Sequence, residues 1–469
     1  MSLTSLTYLI FLFICVCAYY ILPRQAKEVS LLIFSVFFYA YAMPKQLLIM
    51  MVYIWVVFLL GRALYKVERY KKLILVAGIV LSVGFLFVYK YLNFTLSIVG
   101  YEGERFSLIV PIGISYITFQ CIAYLVEIYK GKMEVISNPV SFFVYTLLFM
   151  KVTAGPIENP QTFFEDLYSK KSIKWQGMMH ALTLIASGFV KKMVVADTLA
   201  PYIAGVMDTP GDKDGLSIFL AIFMYSLQIY FDFSGYTDIA RGSAKLFGIS
   251  LTENFKHPYM SKSIREFWRR WHISLSDWLK NYVYFPLGGS RVGTIRRYLN
   301  VVIVFLVSGI WHGASLTYVI WGLLHGIYQV FEIALEPVMV KFRSLIHMKE
   351  DGVLHKTLAG IRTFVLVMVA WVFFRASSLS QALLIFKRLF TPWKNIAWVY
   401  DNYLPDMKLL ILILVSIIFV WIVELLAKKT NKVSTVTLIV TVVAIWLVLL
   451  SLVFTSGTAT VNSFIYFDF

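Results

Sequence analysis

Apolar stretches set the rhythm of this chain. Runs free of Asp, Glu, Lys and Arg cover residues 2–22, 29–43, 46–60, 73–89, 106–126, 135–150, 178–190, 216–231, 298–331, 363–374, 409–423 and 433–454. A straight helix needs about 20 apolar residues to cross a bilayer, with roughly 17 as the lower limit. The longer runs predict transmembrane helices. Several fall short, and these predict buried or re-entrant elements, because lipid leaves no partner for free backbone groups. Only linkers separate the runs, so the pattern predicts a single membrane-embedded domain over residues 1–469. Its class is all-α and polytopic, with about 11 spans plus short re-entrant and interfacial helices.

The rhythm changes between 231 and 297, where charge and aromatic residues interleave. Across 264–282, apolar residues recur at Ile264, Phe267, Trp268, Trp271, Leu275, Trp278, Leu279 and Tyr282, the spacing of one amphipathic helix. That helix places Arg265, Arg269, His272, Ser276 and Lys280 on its polar face, suited to lying in the membrane interface. Pro286-Leu287-Gly288-Gly289 then ends it in a turn. Upstream, Asp232 and Asp238 stand beside aromatics, either to hydrogen-bond a histidine or to hold an Asx-type turn or helix cap. The central motif region is about 230–330.

Composition agrees with the pattern. The 469 residues are 59% hydrophobic and 15% charged, with a mean hydropathy of +0.75, which excludes an ordinary soluble domain. Lys and Arg number 43 against 26 Asp and Glu, a formal charge of +17. In a membrane protein this predicts cytoplasmic loops facing anionic lipid rather than nucleic acid. Arg24 and Lys27, the cluster Arg62, Lys66, Arg69, Lys71 and Lys72, and Lys428, Lys429 and Lys432 all belong inside by the positive-inside rule. Both termini are then expected outside. Residues 2–22 read as a retained span, because no charge precedes them. Cys15, Cys17 and Cys121 lie in apolar runs and have no metal-ligand spacing. No metal site and no glycine-rich phosphate loop is expected.

The candidate chemistry lies in two histidines. His312 sits within 298–331, which holds no charged residue, and His272 sits in Phe267-Trp268-Arg269-Arg270-Trp271-His272-Ile273-Ser274. An imidazole in such surroundings points to a functional site lining a cavity, and its near-neutral pKa suits proton movement. His272 and Asp277 mimic a His-x-x-x-x-Asp dyad, but on a helix they point about 140° apart. His325 lies about 220° around a helix from His312, so the two share a face only if the segment breaks, which Gly309 and Gly313 allow. His180, His257, His347 and His355 show no partner pattern.

The chain resembles the membrane-bound O-acyltransferases, in particular their alginate O-acetyltransferase subfamily. The blocks are Ala154-Gly155-Pro156-Ile157, Asp232 through Asp238, Glu253 through Tyr259, Phe267 through Ser276, and Pro286 through Gly289. They continue with Trp311-His312-Gly313-Ala314, Trp321 through Gly326, Phe373-Phe374-Arg375-Ala376 and Phe464 through Phe469. Two positions depart from the family: Asp468 stands where Gln is usual, and Thr252 where Pro is usual. The family's position of His312 is a near-invariant histidine, and that of His272 is Asn or His.

The resemblance implies transfer of an acyl group from a thioester to a hydroxyl. His312 is then the general base, while His272 orients the acceptor or polarises the carbonyl. Arg265, Arg269 and Lys280 are candidates to receive the phosphates of coenzyme A or an acidic acyl carrier. Asp238, Asn254 and Trp311 are further candidate substrate contacts. No bound cofactor is implied, only acetyl-CoA or an acyl carrier as donor. The implied setting is a bacterial cytoplasmic (inner) membrane, with an extracytoplasmic acyl-accepting or polysaccharide-modifying partner. Two alternatives remain open: D-alanyl transfer to teichoic acid from a carrier protein, as in a sister subfamily, and a proton-coupled transporter. Transporters of that kind carry inverted repeats with matched broken helices, and none is visible here.

Overall fold

The computed structural model describes residues 1–101, 103, 106–169, 175–346, 352–426 and 433–455, and contains no strand among them. Lys428, Lys429, Lys432, His347 and the block 464–469 lie outside the described residues. Among the described residues nine helices are long and apolar enough to cross a membrane. They are Pro44–Lys66, Glu68–Lys90, Trp175–Met207, Gly215–Leu246, Thr294–His312, Leu316–Leu345, Val353–Arg375, Met407–Leu425 and Val436–Phe454. Leu6–Ile21 and Ile114–Tyr129 are shorter apolar helices.

Two charge-free runs turn out to be the apolar halves of longer helices. The run 178–190 continues to Met207 through Lys191, Lys192 and Asp197, and 216–231 continues to Leu246 through Asp232 and Asp238. The helices survive these charges because the charges neutralise one another. Lys191 pairs with Asp238 at 2.7 Å and Glu424 at 2.8 Å. Lys192 pairs with Asp197 at 2.7 Å and Asp232 at 2.6 Å. A π-helical turn, Val190–Ala196, carries both lysines. The expected turn or cap at Asp232 and Asp238 is therefore absent; both are ion-paired within the helix Gly215–Leu246.

Trp175–Met207 and Gly215–Leu246 run antiparallel and nearly touch at Gly188 and Gly235, where a Cβ on Gly188 meets the Gly235 carbonyl at 2.6 Å. Small residues at such crossings let backbones approach closely. The charge-free run 298–331 is likewise two helices. It breaks at Gly313, whose backbone is extended, and doubles back as Leu316–Leu345. Gly309 does not break the run; it makes the crossing, where a Cβ would lie 2.4 Å from the Tyr318 carbonyl. This hairpin sets His312 beside the returning helix.

Residues 135–150 form only a nine-residue helix, Pro139–Leu147, before an irregular segment that is buried through Glu158. Buried backbone and charge there must find partners. Lys151 donates to Gln120 Oε1 at 2.5 Å and the Tyr145 carbonyl at 2.6 Å. The Ile157 amide donates to Ser274 Oγ at 3.0 Å. The Glu158 carboxylate accepts from the Thr252 amide at 2.8 Å and its hydroxyl at 2.9 Å. Thr252 thus supplies a backbone donor that a proline at that position would lack.

Hydrogen bonds sort the helix ends onto two faces. Lys71 shares a groove with Glu165 and Tyr168, and Asp166 accepts from the Ser250 amide just beyond Leu246. At the other end, Arg375 pairs with Asp208, and Thr198 with Ser451 near the end of Val436–Phe454. The Leu6–Ile21 helix fits neither direction simply. Tyr8 bonds Ser243, while Tyr19 and Tyr20 bond the carbonyls of Phe247 and Leu246. Both its ends meet one short stretch of another helix, so it crosses that end obliquely.

Candidate active site

The predicted single helix over 264–282 is broken. Ile264–Arg270 and Ile273–Leu279 are separate helices, and His272 between them has φ 44°, the left-handed region. Asn254 makes the break, because its carbonyl accepts from the Ile273 amide at 3.1 Å and its Oδ1 from the Ser274 amide at 3.0 Å. These bonds satisfy amides that a continuous helix would have used. His272 is therefore not on the polar face: it is fully buried, edge-on to Phe233 with ring centres 4.8 Å apart. Burial pushes its imidazole well below the usual histidine range, and nearby His312 adds to the effect.

His312 closes the helix Thr294–His312. Its Nδ1 lies 2.7 Å from the Ser308 carbonyl, which can only accept, so Nδ1 carries the proton and Nε2 keeps a lone pair. Lys90 donates to the carbonyls of Trp311 at 2.7 Å and His312 at 3.2 Å, and Tyr91 to that of Ile310 at 2.8 Å. A cation at a helix C-terminus is favourable, and here it fixes the turn that carries His312. Trp311 lies beside both histidines, 4.9 Å from His312 and 6.2 Å from His272. Trp321 and Phe374 complete the ring wall around His312 at 4.7 and 5.4 Å. His325, one turn beyond Trp321, accepts at Nδ1 from the Trp268 indole at 3.2 Å.

Arg265, Arg269 and Lys280 do come together, in a cavity of about 650 Å³. Ser276, Asp277 and Arg297 also line it, with Trp268 and Phe305 on its wall. Among the described residues no carboxylate lies within 4 Å of Arg269, Lys280 or Arg297. A second cavity of about 690 Å³ holds Asp238, Asn254, Lys191, Arg241, Arg270 and Glu424, but its charges are already paired: Lys191 with Asp238 and Glu424, Arg241 with Asp238, and Arg270 with Glu266 outside the cavity. Asp238 and Asn254 thus sit apart from the first cavity, Asn254 acting through the His272 turn. No group of three or more His, Cys, Asp or Glu residues is placed to hold a metal among the described residues.

The model of the membrane-bound O-acyltransferase (MBOAT) family matches residues 31–379. The chain belongs to this family. MBOAT proteins are polytopic, and this one is an O-acyltransferase. A Pseudomonas aeruginosa protein described as a probable alginate O-acetylase is 34% identical over 80% of this chain and 71% of its own length. A peptidoglycan O-acetyltransferase of Helicobacter pylori is also 34% identical, over 79% of this chain and 76% of its own. A teichoic acid D-alanyltransferase of Bacillus subtilis is 31% identical, over 48% of this chain and 60% of its own.

The MBOAT blocks now have physical content. Asn254 in the Glu253–Tyr259 block and Ser274 beside His272 build the His272 turn, and Ser274 also receives the Ala154–Ile157 block. Sequence reasoning missed Lys90, Tyr91 and Arg297, and it picked out Trp321 only as part of a block, without a role. Lys90 was visible only as a charge ending an apolar run, with nothing in its neighbours to name its target.

Proposed function

We propose that this MBOAT protein transfers an acetyl or other short acyl group from a cytoplasmic thioester to hydroxyls of an exported cell-surface polysaccharide. The observation that carries the reading is the geometry of His312, a buried imidazole whose Nδ1 is held by the Ser308 carbonyl and whose Nε2 is the other ring nitrogen. A hydroxyl attacking a thioester loses its proton as the new bond forms, and Nε2 can take it and return it to the leaving thiolate. His272, held near His312, orients the acceptor.

The basic cavity takes the donor's phosphates, from acetyl-CoA or from an acidic acyl carrier. Its uncompensated charge favours that ligand over the second cavity, whose charges are already paired. Tyr282, near Lys280, bonds Glu127, close to the groove that contains Lys71. By the positive-inside rule that face is cytoplasmic, in a bacterial inner membrane with both termini outside. An extracytoplasmic partner then receives or hands on the acyl group. The O-acetylating relatives match about 80% of this chain, against about half for the D-alanylating ones, which favours acetyl over D-alanyl transfer.

Reconstitution in liposomes with acetyl-CoA tests this. His312→Ala should abolish transfer at normal protein level. Arg269→Gln with Lys280→Gln should raise the donor KM several-fold and leave kcat unchanged. Near-normal transfer by His312→Ala would sink the base assignment, and an unchanged KM the donor assignment.

A further inference from the structure

Buried hydrogen-bond donors normally have acceptors, and each exception calls for an explanation. Among the exceptions around His312 are three ring nitrogens. The indole nitrogens of Trp311 and Trp321 and the Nε2 of His325 are buried, and none has a hydrogen-bond partner among the described residues. Their rings are close neighbours. Trp321 lies 4.7 Å from His312 and 5.1 Å from His325, and Trp311 lies 4.9 Å from His312.

The protonation of His325 follows from its neighbour. An indole nitrogen only donates, so the Trp268–His325 bond makes Nδ1 the acceptor and puts the proton on Nε2. His325 is thereby a neutral donor with a fixed direction. Trp321 and His325 stand four residues apart on one helix, so both project to the same side of it. Gly309 and Gly322 bring that helix against the one ending in His312, leaving the side chains little freedom to relax.

We propose that Trp321 Nε1–H and His325 Nε2–H form the oxyanion site of the reaction, receiving the carbonyl oxygen of the acyl thioester. This deepens the acyl-transfer reading above and rests on it. The acceptor oxygen bonds the carbonyl carbon while its proton passes to His312 Nε2. The electron pair of the C=O bond moves onto oxygen, where the two N–H groups meet the charge. The pair then returns, the C–S bond breaks, and the thiolate takes the proton from His312. No further reactant is needed. Donors held in place before the charge develops, in a site sealed from water, are the arrangement that stabilises such an intermediate. Trp268 is a positioning residue in this scheme, locking the His325 tautomer from the wall of the basic cavity. The same placement links the cavity that takes the donor's phosphates to the group that takes its carbonyl.

The test uses the full-length protein in liposomes with acetyl-CoA labelled with carbon-13 at the carbonyl, without acceptor. The infrared band of the bound thioester carbonyl should lie below that of free acetyl-CoA in wild type and in His312→Ala. In Trp321→Phe and His325→Phe, which keep a ring and lose the N–H, the band should move back toward the free position. Their kcat should fall about a hundredfold or more with little change in donor KM. If the indoles only face neighbouring ring planes, both variants keep wild-type rate and band, and the proposal is overturned. An unshifted band in wild type, with His312→Ala inactive, overturns it without any variant at these two positions. Full transfer by His312→Ala overturns instead the reading on which it rests.

Discussion

At His272 the backbone matters as much as the imidazole. A φ of 44° is costly for most side chains, while Asn, Asp and His are the residues that tolerate it best. His and Asn, the two residues that the resemblance implies for this position, are both in that group. His272→Asn should keep the turn and part of the activity, because an amide still donates a hydrogen bond. His272→Ala should lose activity and about 1 kcal/mol of stability as well. Detergent melting curves beside transfer rates separate the two effects; an alanine variant as stable as the asparagine one would remove the backbone argument. None of this was legible from spacing. The apolar period continues unbroken through 264–282, and the acceptor that captures the Ile273 amide is Asn254, out of reach of any local pattern. The resemblance named both residues, and only the structure showed that one holds the other.

Elements were legible where hydrophobicity decides them and illegible where pairing does. The long apolar runs became helices, but two were cut short in the sequence reading because Lys191, Lys192, Asp232 and Asp238 counted as boundaries. Ion pairs between helices moved those boundaries outward. The hairpin at His312 was half visible, since its glycines announced a break without saying which made it. Gly309 makes the crossing, and this gives a test. Gly309→Ala puts a methyl 2.4 Å from the Tyr318 carbonyl, so the two helices must separate and His312 must shift against Trp321. Misplacement of about 1 Å can cost a hundredfold in rate, and transfer should fall by that order at normal protein level. Gly360→Ala, also within a helix but with open space at its Cβ, should be neutral. Equal behaviour of the two variants would show that the crossing does not set the geometry of the base.

At the scale of the whole molecule, the two faces remain to be assigned to compartments. Cysteine labels from outside the cell should reach Thr209, Thr455 and Ser2, while a label at Arg69 should stay protected until the membrane is permeabilised. Thr209 and the end of Val436–Phe454 share a face in the structure, so labels at Thr209 and Thr455 must agree. Ser2 is the more discriminating site, because Leu6–Ile21 crosses another helix end obliquely instead of running beside it. A protected Ser2 would keep the catalytic arrangement and refute the external N-terminus. Charge clusters predict which face lies inside. They said nothing of the first helix, whose position is set by tyrosine contacts more than 200 residues away in sequence.

The segment ending at Glu158 also has a consequence for how the protein is made. Glu158 finds its donors on Thr252, 94 residues later, and Ile157 finds Ser274, 117 residues later. Translation at about 5–20 residues per second leaves a gap of roughly 5–20 s in which these groups have no partner. During that interval the half-made chain already sits in or near the membrane with a buried-type glutamate unpartnered, although Lys151 already has Gln120 and the Tyr145 carbonyl. The turn at His272 is thus also the latch that completes the first third of the protein. A chain truncated before residue 252 would be expected to present that segment to quality-control proteases, however well its first helices had inserted.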